Sequence, residues 1–393
     1  MNDNQHIPSG YKPSPLGIIP EDWEVKRLGE VCNFLDSQRV PIKDGDRVKM
    51  QGKYPYYGAS GIIDYVNDYL FDDDLILLGE DGANILTRST PLAFLVSGKV
   101  WVNNHAHVLK TSTNHNRYYI CNYLESLSYD KYNTGTAQPK LNREICENIP
   151  ILLPNIYEQN KIADILQLWD TAIAKQTALI EQLTLRKRGL MQQLLTGKKR
   201  LKGFEGGWKR IKAGEIFKSI SVKGNGSEVL LSATQEHGVI PRDQLEGRVT
   251  MPTGDTNSFK LVEVGDFVIS LRSFQGGLEY SEHRGIVSPA YTVLKPIVEI
   301  DKSFYRYYFK SAEFIGHLAI AVIGIRDGKQ ISYEDFCFVK IPYPNIEEQK
   351  AISTVLLQAD KEIEIQKQKL DAMQAQKKGL MQVLLTGKKR IKQ

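Results

Sequence analysis

The chain has 393 residues, 41% of them apolar and 25% charged, with a formal net charge of +5. That length suits two or three domains with real cores, and the composition excludes a largely disordered protein. The four cysteines, Cys32, Cys121, Cys146 and Cys337, stand singly, so no structural zinc site is expected and the thiols read as reduced. No apolar run approaches a membrane span, and the first residues do not read as a secretory leader, so a cytoplasmic location is expected.

In chain order, a short opener, WEVKRLGEV, starts at Trp23. A variable stretch follows to Leu153. In it, Asp74 to Ala83 reads as a strand entering a glycine turn, Val100 to Lys110 as a strand with a polar bend, and Arg117 to Ser126 as a helix. From Pro154 to Lys202 the pattern is that of one long helix. Proline stands ahead of it, Gly197 follows its last apolar residue, and Lys198, Lys199 and Arg200 suit the negative end of its dipole.

A second opener, WKRIKAGEI, starts at Trp208 and leads into a second variable stretch to Tyr343 with the same order of features. Strands are expected at Gly265 to Gly277 and Gly285 to Lys295, and a helix at Phe304 to Phe314. A second long helix, about 38 residues or roughly 57 Å, then runs from Pro344 to the Gly387 turn.

The two long helices are copies. Pro154 to Lys202 aligns without a gap on Pro344 to Lys392, with 23 of 49 positions identical. Each carries a heptad seam in alternating steps of four and three. The first seam is Ile162, Leu166, Trp169, Ile173, Gln176, Ile180, Leu183, Lys187, Leu190 and Leu194. The second is Ile352, Leu356, Ala359, Ile363, Gln366, Leu370, Met373, Lys377, Leu380 and Leu384. The polar breaks match, Gln176 with Gln366 and Lys187 with Lys377. Two equal seams in one chain call for mutual pairing, although each helix packing on its own domain would give the same periodicity. The seam alone does not set direction; two variable domains at opposite ends of a spacer favour antiparallel.

The expected fold class is therefore α+β: an opener with the first variable domain (1–153), a spacer helix (154–202), the second variable domain (203–343) and a second spacer helix (344–393). The variable domains differ mainly in loops, and the loops hold side chains suited to reading base edges. In the second domain these are Arg272, Phe274 and Gln275 ahead of Gly276 and Gly277, then Arg284, and then Arg326, Lys329 and Gln330. In the first they are Glu80, Asn84 and Arg88, then Asn103, Asn104, His105 and His107, and then Gln138 and Lys140. Arginine forks onto guanine and glutamine or asparagine onto adenine, and glycine lets a backbone approach phosphate. Taken singly, such polar residues mostly serve their own turns. His105 and His107 lack the further ligands a metal would need, and the tyrosine-rich runs read as core.

At this point the residues resemble a known family, the specificity subunits of type I restriction–modification systems, from about Gly17 to Lys392. The resemblance is carried by GIIPEDWEVKRLGEV (from Gly17), GTAQPKLNREICENIPILLPNIYEQNKIADIL (from Gly135), GDFVISLRSFQGG (from Gly265) and IPYPNIEEQKAIS (from Ile341). The second copy departs in one loop, where GKQISYED replaces TAQPKLNRE. The resemblance implies two target-recognition domains, each reading half of a split, asymmetric site on double-stranded DNA, with antiparallel helices as the ruler between them. It also implies docking of two modification (methyltransferase) subunits and of restriction (translocase/nuclease) subunits. S-adenosylmethionine, ATP and magnesium would then belong to those partners, and this chain would hold no cofactor and catalyse nothing. The chain contains no phosphate-binding G-x-x-x-x-G-K-[ST] loop and no Pro-Pro dipeptide of the amino-methyltransferase type. The alternative is a coiled-coil scaffold that assembles a DNA-modifying complex without reading bases.

Overall fold

The structure, a computed structural model, describes residues 7–245, 255–322 and 331–391. The expected contacts Arg326, Lys329 and Gln330 lie outside these residues, as does the side chain of Phe274. The chain divides into two compact units, one of Met1–Thr177 with Lys369–Gln393, the other of Ala178–Gln368.

In the first unit the opener forms a strand, Glu24–Arg27, antiparallel to Pro150–Leu153, the strand that feeds the first long helix. Two four-stranded sheets follow. One orders Cys32–Phe34, Ala106–Thr111, Leu75–Gly79 and Ala93–Val96; the other orders Gly61–Val66, Gln51–Gly58, Lys99–Val102 and Phe71–Asp72. Leu75 to Leu78 are wholly enclosed, as a continuous apolar run in a central strand should be. The helix Arg117–Ser126 buries Tyr119, Ile120 and Leu124 in the same core as Ile162 and Leu166 of one long helix and Met381 and Leu384 of the other.

The second unit repeats the plan. Lys209–Lys212 pairs antiparallel with Lys340–Tyr343, the strand ahead of the second long helix. A four-stranded sheet orders Phe217–Ile220, Thr292–Pro296, Phe267–Ile269 and Glu279–Tyr280. The helix Lys302–Tyr308 buries Phe304, Tyr305 and Tyr308 with Ile352, Leu356 and Leu194.

The long helices span Ile156–Leu194 and Ile346–Leu384. Each starts on an asparagine cap: Asn155 Oδ1 accepts from the Glu158 amide (3.0 Å) and Asn345 Oδ1 from the Glu348 amide (2.8 Å). Each ends at a left-handed glycine, Gly197 (φ +72°) and Gly387 (φ +70°), as expected for a residue without a Cβ. Every seam position is buried or half-buried, while the residues between are mostly exposed.

Within each unit the two helices run antiparallel. In the first, Glu158 takes Arg390 (Nε–Oε1 2.9 Å) and Asp170 takes Lys377 (2.5 Å), so advancing along one helix retreats along the other. In the second, Lys187 takes Asp360 and Arg200 takes Glu348 (2.6 Å). The polar seam break at Lys187 and Lys377 is thus a cross-helix ion pair at each site.

The opener tryptophans explain why the opener recurs. Trp23 Nε1 donates to the buried Glu158 (3.1 Å) under the Arg390 guanidinium, 5.8 Å from its ring. Trp208 does the same with Glu348 (2.9 Å) and Arg200 (5.5 Å). A carboxylate taken out of water needs full hydrogen bonding, and here an indole and a guanidinium provide it.

Candidate nucleic-acid interface

In the first unit, turns at the ends of neighbouring strands converge. The turn Ala59–Ser60 joins Gln51–Gly58 to Gly61–Val66, and its carbonyl lies 2.7 Å from where a Cβ on Gly79 would stand. Only glycine at position 79 allows that approach. The Glu80 amide donates to the His105 carbonyl (2.8 Å) and the Leu141 amide to the Glu80 carbonyl (2.7 Å). The Gly82 amide donates to the Pro139 carbonyl (3.0 Å). The Ala59 turn, the Glu80 turn, the Asn103–His105 bend and the 134–140 loop therefore make one cluster.

Beneath it lies a charged network. Arg39 donates to Glu80 Oε2 (2.7 Å), to the Ala106 carbonyl (2.7 Å) and to the Asp36 carbonyl (3.1 Å). His107 is 1% exposed; its Nδ1 meets Asp36 (2.7 Å) and its Nε2 the Leu141 carbonyl (2.8 Å). Both ring nitrogens face acceptors, which calls for the imidazolium. Burial disfavours that charge, but the Asp36 carboxylate and the neighbouring Cys146 sulfur together outweigh it and raise the His107 pKa to about 10.

The residues expected to contact DNA fall into two groups. Asn104, His105, Gln138 and Lys140 are exposed on the cluster, with His105 facing Asp81 (2.8 Å) and Lys140 facing Glu80 (3.3 Å). Of the others, His107 lies in the strand Ala106–Thr111 and Asn84 opens a single helical turn, and all are turned inward or committed to the protein. His107 belongs to the network, and Asn103, 4% exposed, accepts from the His105 amide (2.8 Å). Glu80 is held by Arg39. Asn84 closes its own loop through the amide and carbonyl of Thr90. Arg88, with a left-handed backbone at φ +51°, pairs with Glu125 (2.7 Å) over the Tyr129 ring. A buried polar group must find a partner, and the two fully buried ones, Asn103 and His107, find theirs in the protein; Glu80, Asn84 and Arg88 are half-buried, and Arg88 keeps one buried guanidinium nitrogen unpaired.

In the second unit the hairpin of Leu231–Thr234 and Gly238–Pro241 carries Gln235, Glu236 and His237 at its tip. With Ser270, Arg272 and Tyr291, this tip lines an open groove of about 600 Å³. Arg272 and Gln275 are exposed at the start and end of a single helical turn, Ser273–Gly276. Gly276 and Gly277 were expected to admit phosphate; the structure corrects this. An added Cβ at Gly276 would meet Gln235 Cγ at 2.7 Å, and one at Gly277 the Phe309 carbonyl at 1.8 Å, so these glycines admit the protein's own chain. Lys310 clamps the arrangement, reaching Glu279 (2.6 Å), the Gly276 carbonyl (3.0 Å) and the Gln235 carbonyl (3.2 Å). Arg284 is neutralised by Glu228 and Glu263, each at 3.0 Å.

Sequence reasoning missed the two hairpin tips and both clamps. GASG at 58–61 and the Gln235–Gly238 run, each between apolar stretches, were the available turn signals. The pairing of Arg39 with Glu80 had no local signal.

Known proteins with similar features bear on this arrangement. The chain is 28% identical to the type I restriction enzyme MjaVIII specificity subunit of Methanocaldococcus jannaschii, over 95% of this chain and 94% of that one. It is 26% identical to the same organism's putative MjaX specificity subunit, over 97% of each. Its fold is similar to the crystal structure of the type I restriction–modification S subunit from M. genitalium, with a TM-score of 0.56 and 15% identity over 92% of this chain and 96% of that one. The family model described as the type I restriction modification DNA specificity domain matches twice, at residues 20–185 and 205–375. On that double match, which takes in both openers, both variable domains and most of both long helices, the chain belongs to the type I restriction–modification DNA specificity family.

Proposed function

We propose that this chain is the DNA-reading subunit of a type I restriction–modification complex and performs no catalytic step itself. The observation that carries this reading is the contrast between a duplicated helix scaffold and two unlike turn clusters at equivalent places on it. Duplicated parts suit a symmetric framework, and unlike turns suit two different half-sites. The target is then bipartite and asymmetric. Exposed Arg272 and Gln275 supply base contacts in one half, and the 104–105 bend with Gln138 supplies them in the other, each good bidentate contact being worth about 1–3 kcal/mol of discrimination. Lysine contacts to phosphate add affinity that falls with salt.

The chain works, in this reading, with modification and restriction subunits as well as DNA. Two modification subunits dock on the duplicated scaffold, and S-adenosylmethionine, ATP and magnesium belong to the partners. No helix among the described residues is long and apolar enough to cross a membrane. The test is to exchange residues 32–148 for the corresponding segment of a relative and map methylated sites. One half of the target should change while the other half stays. An unchanged target would leave the chain an assembly scaffold only.

A further inference from the structure

Besides the opener, each variable domain is fastened to the long helices by one short helix, and both units use the equivalent glutamine and aspartate of the long helices for it. In the first unit the helix Arg117–Ser126 is held at its start: Gln159 Oε1 accepts from the Asn116 amide (2.9 Å) while Gln159 Nε2 donates to the Pro154 carbonyl (2.8 Å). In the second, Gln349 does this for the Asp301 amide (2.9 Å) and the Pro344 carbonyl (2.8 Å). The recurring Glu-Gln pair therefore divides its work, glutamate locking the opener and glutamine locking the domain helix.

A second anchor lies about 16 Å further along the long helix, eleven residues at 1.5 Å each. The Tyr118 hydroxyl donates to Asp170, whose other oxygen takes Lys377 of the antiparallel helix at 2.5 Å. The Tyr307 hydroxyl donates to Asp360 (2.6 Å), whose other oxygen takes Lys187. One carboxylate thus joins the domain helix, the near long helix and the far one. The aspartates are 39% exposed in both units, and an exposed ion pair contributes little to stability. Tyr118 and Tyr307 lie outside the duplicated helices, in domains whose sequences diverge, and yet both place a hydroxyl on the same carboxylate. Recurrence with little stability to gain points to placement.

We propose that the Tyr118–Asp170–Lys377 and Tyr307–Asp360–Lys187 triads are positioning joints that fix the angle of each recognition domain on the helix pair and so set the gap between half-sites that the complex accepts. This rests on the DNA-reading function above. Two anchors about 16 Å apart resist rotation of the domain helix; with the tyrosine hydroxyl gone, the glutamine end is the remaining one of the two, and the shared apolar core, which is less directional than a hydrogen bond, holds the rest. A requirement follows for domain exchange: an incoming domain needs a hydroxyl donor facing position 170 or 360.

The test uses the full complex with its modification subunits and duplexes carrying the mapped half-sites at gaps varied by single base pairs. The parent should modify one gap. The Tyr118→Phe/Tyr307→Phe double variant, and separately Lys377→Met, should raise modification at gaps one base pair off, relative to the parent gap, about tenfold, the scale of losing one hydrogen bond to a charged group. The bases read in each half-site should be unchanged. A sharp gap in the parent and an equally sharp one in both variants would overturn the joint while leaving DNA reading intact. A parent indifferent to gap length would overturn the spacing function on which the joint depends.

Discussion

The two variable domains hang on duplicated helices, yet they hold their turns together by different chemistry. The first uses a buried chain of charges, Asp36, His107, Arg39 and Glu80, reaching from the polar bend to the 134–140 loop. The second uses one lysine, Lys310, sent from the end of its docking helix to a buried glutamate and two carbonyls. The scaffold fixes where a domain attaches; each domain then solves the placement of its own turns. A swap that respects the attachment therefore carries a complete reading head with it.

The comparison breaks most readily at Arg39. Arg39→Met leaves the mostly buried Asp36 and Glu80 without their guanidinium, and the first unit should lose about 3–5 kcal/mol. Thermal unfolding followed by amide exchange in Ala106–Thr111 would show this, with the second unit unaffected. Lys310→Met should cost the second unit about 3 kcal/mol, because Glu279, 1% exposed, loses its cation. Adding Glu279→Gln should recover most of that loss, which a double-mutant cycle would measure.

The two domains should also part with pH. His107 is raised from 6.5 to about 10 in the folded chain. Its stabilisation of the first unit is therefore whole below pH 6.5 and fades as pH rises towards 10. The Lys310 clamp has no imidazolium, so exchange protection in Phe267–Ile269 should fall less over that range. The smallest effect belongs to Arg284→Ala: its ion pairs are solvent-screened, and the midpoint of thermal unfolding should stay within experimental scatter of the parent's.

The scaffold was legible because its signals are periodic and doubled. Ile162 and Ile352, Leu166 and Leu356, Lys187 and Lys377 recur at one offset, and a heptad seam has few interpretations. The strand runs around Leu75–Leu78 and Val108 read equally well. The candidate interface was legible only as polar residues in and beside turns. A polar residue in a strand bend looks the same in sequence whether it faces water or the interior, so Asn103 and His107 stood beside Asn104 and His105 without distinction. Arg88 and Glu125, or Arg39 and Glu80, lie some forty residues apart and meet only through tertiary packing. Gly276 and Gly277 announced a close approach but not what approaches.

The central claim, that unlike turns on a duplicated scaffold read unlike half-sites, is tested most directly at Arg272. Methylation mapping of complexes carrying Arg272→Ala should show relaxed base choice in one half of the target, on the scale of 1–3 kcal/mol, and an untouched second half. Equal relaxation of both halves, or none in either, would contradict the account.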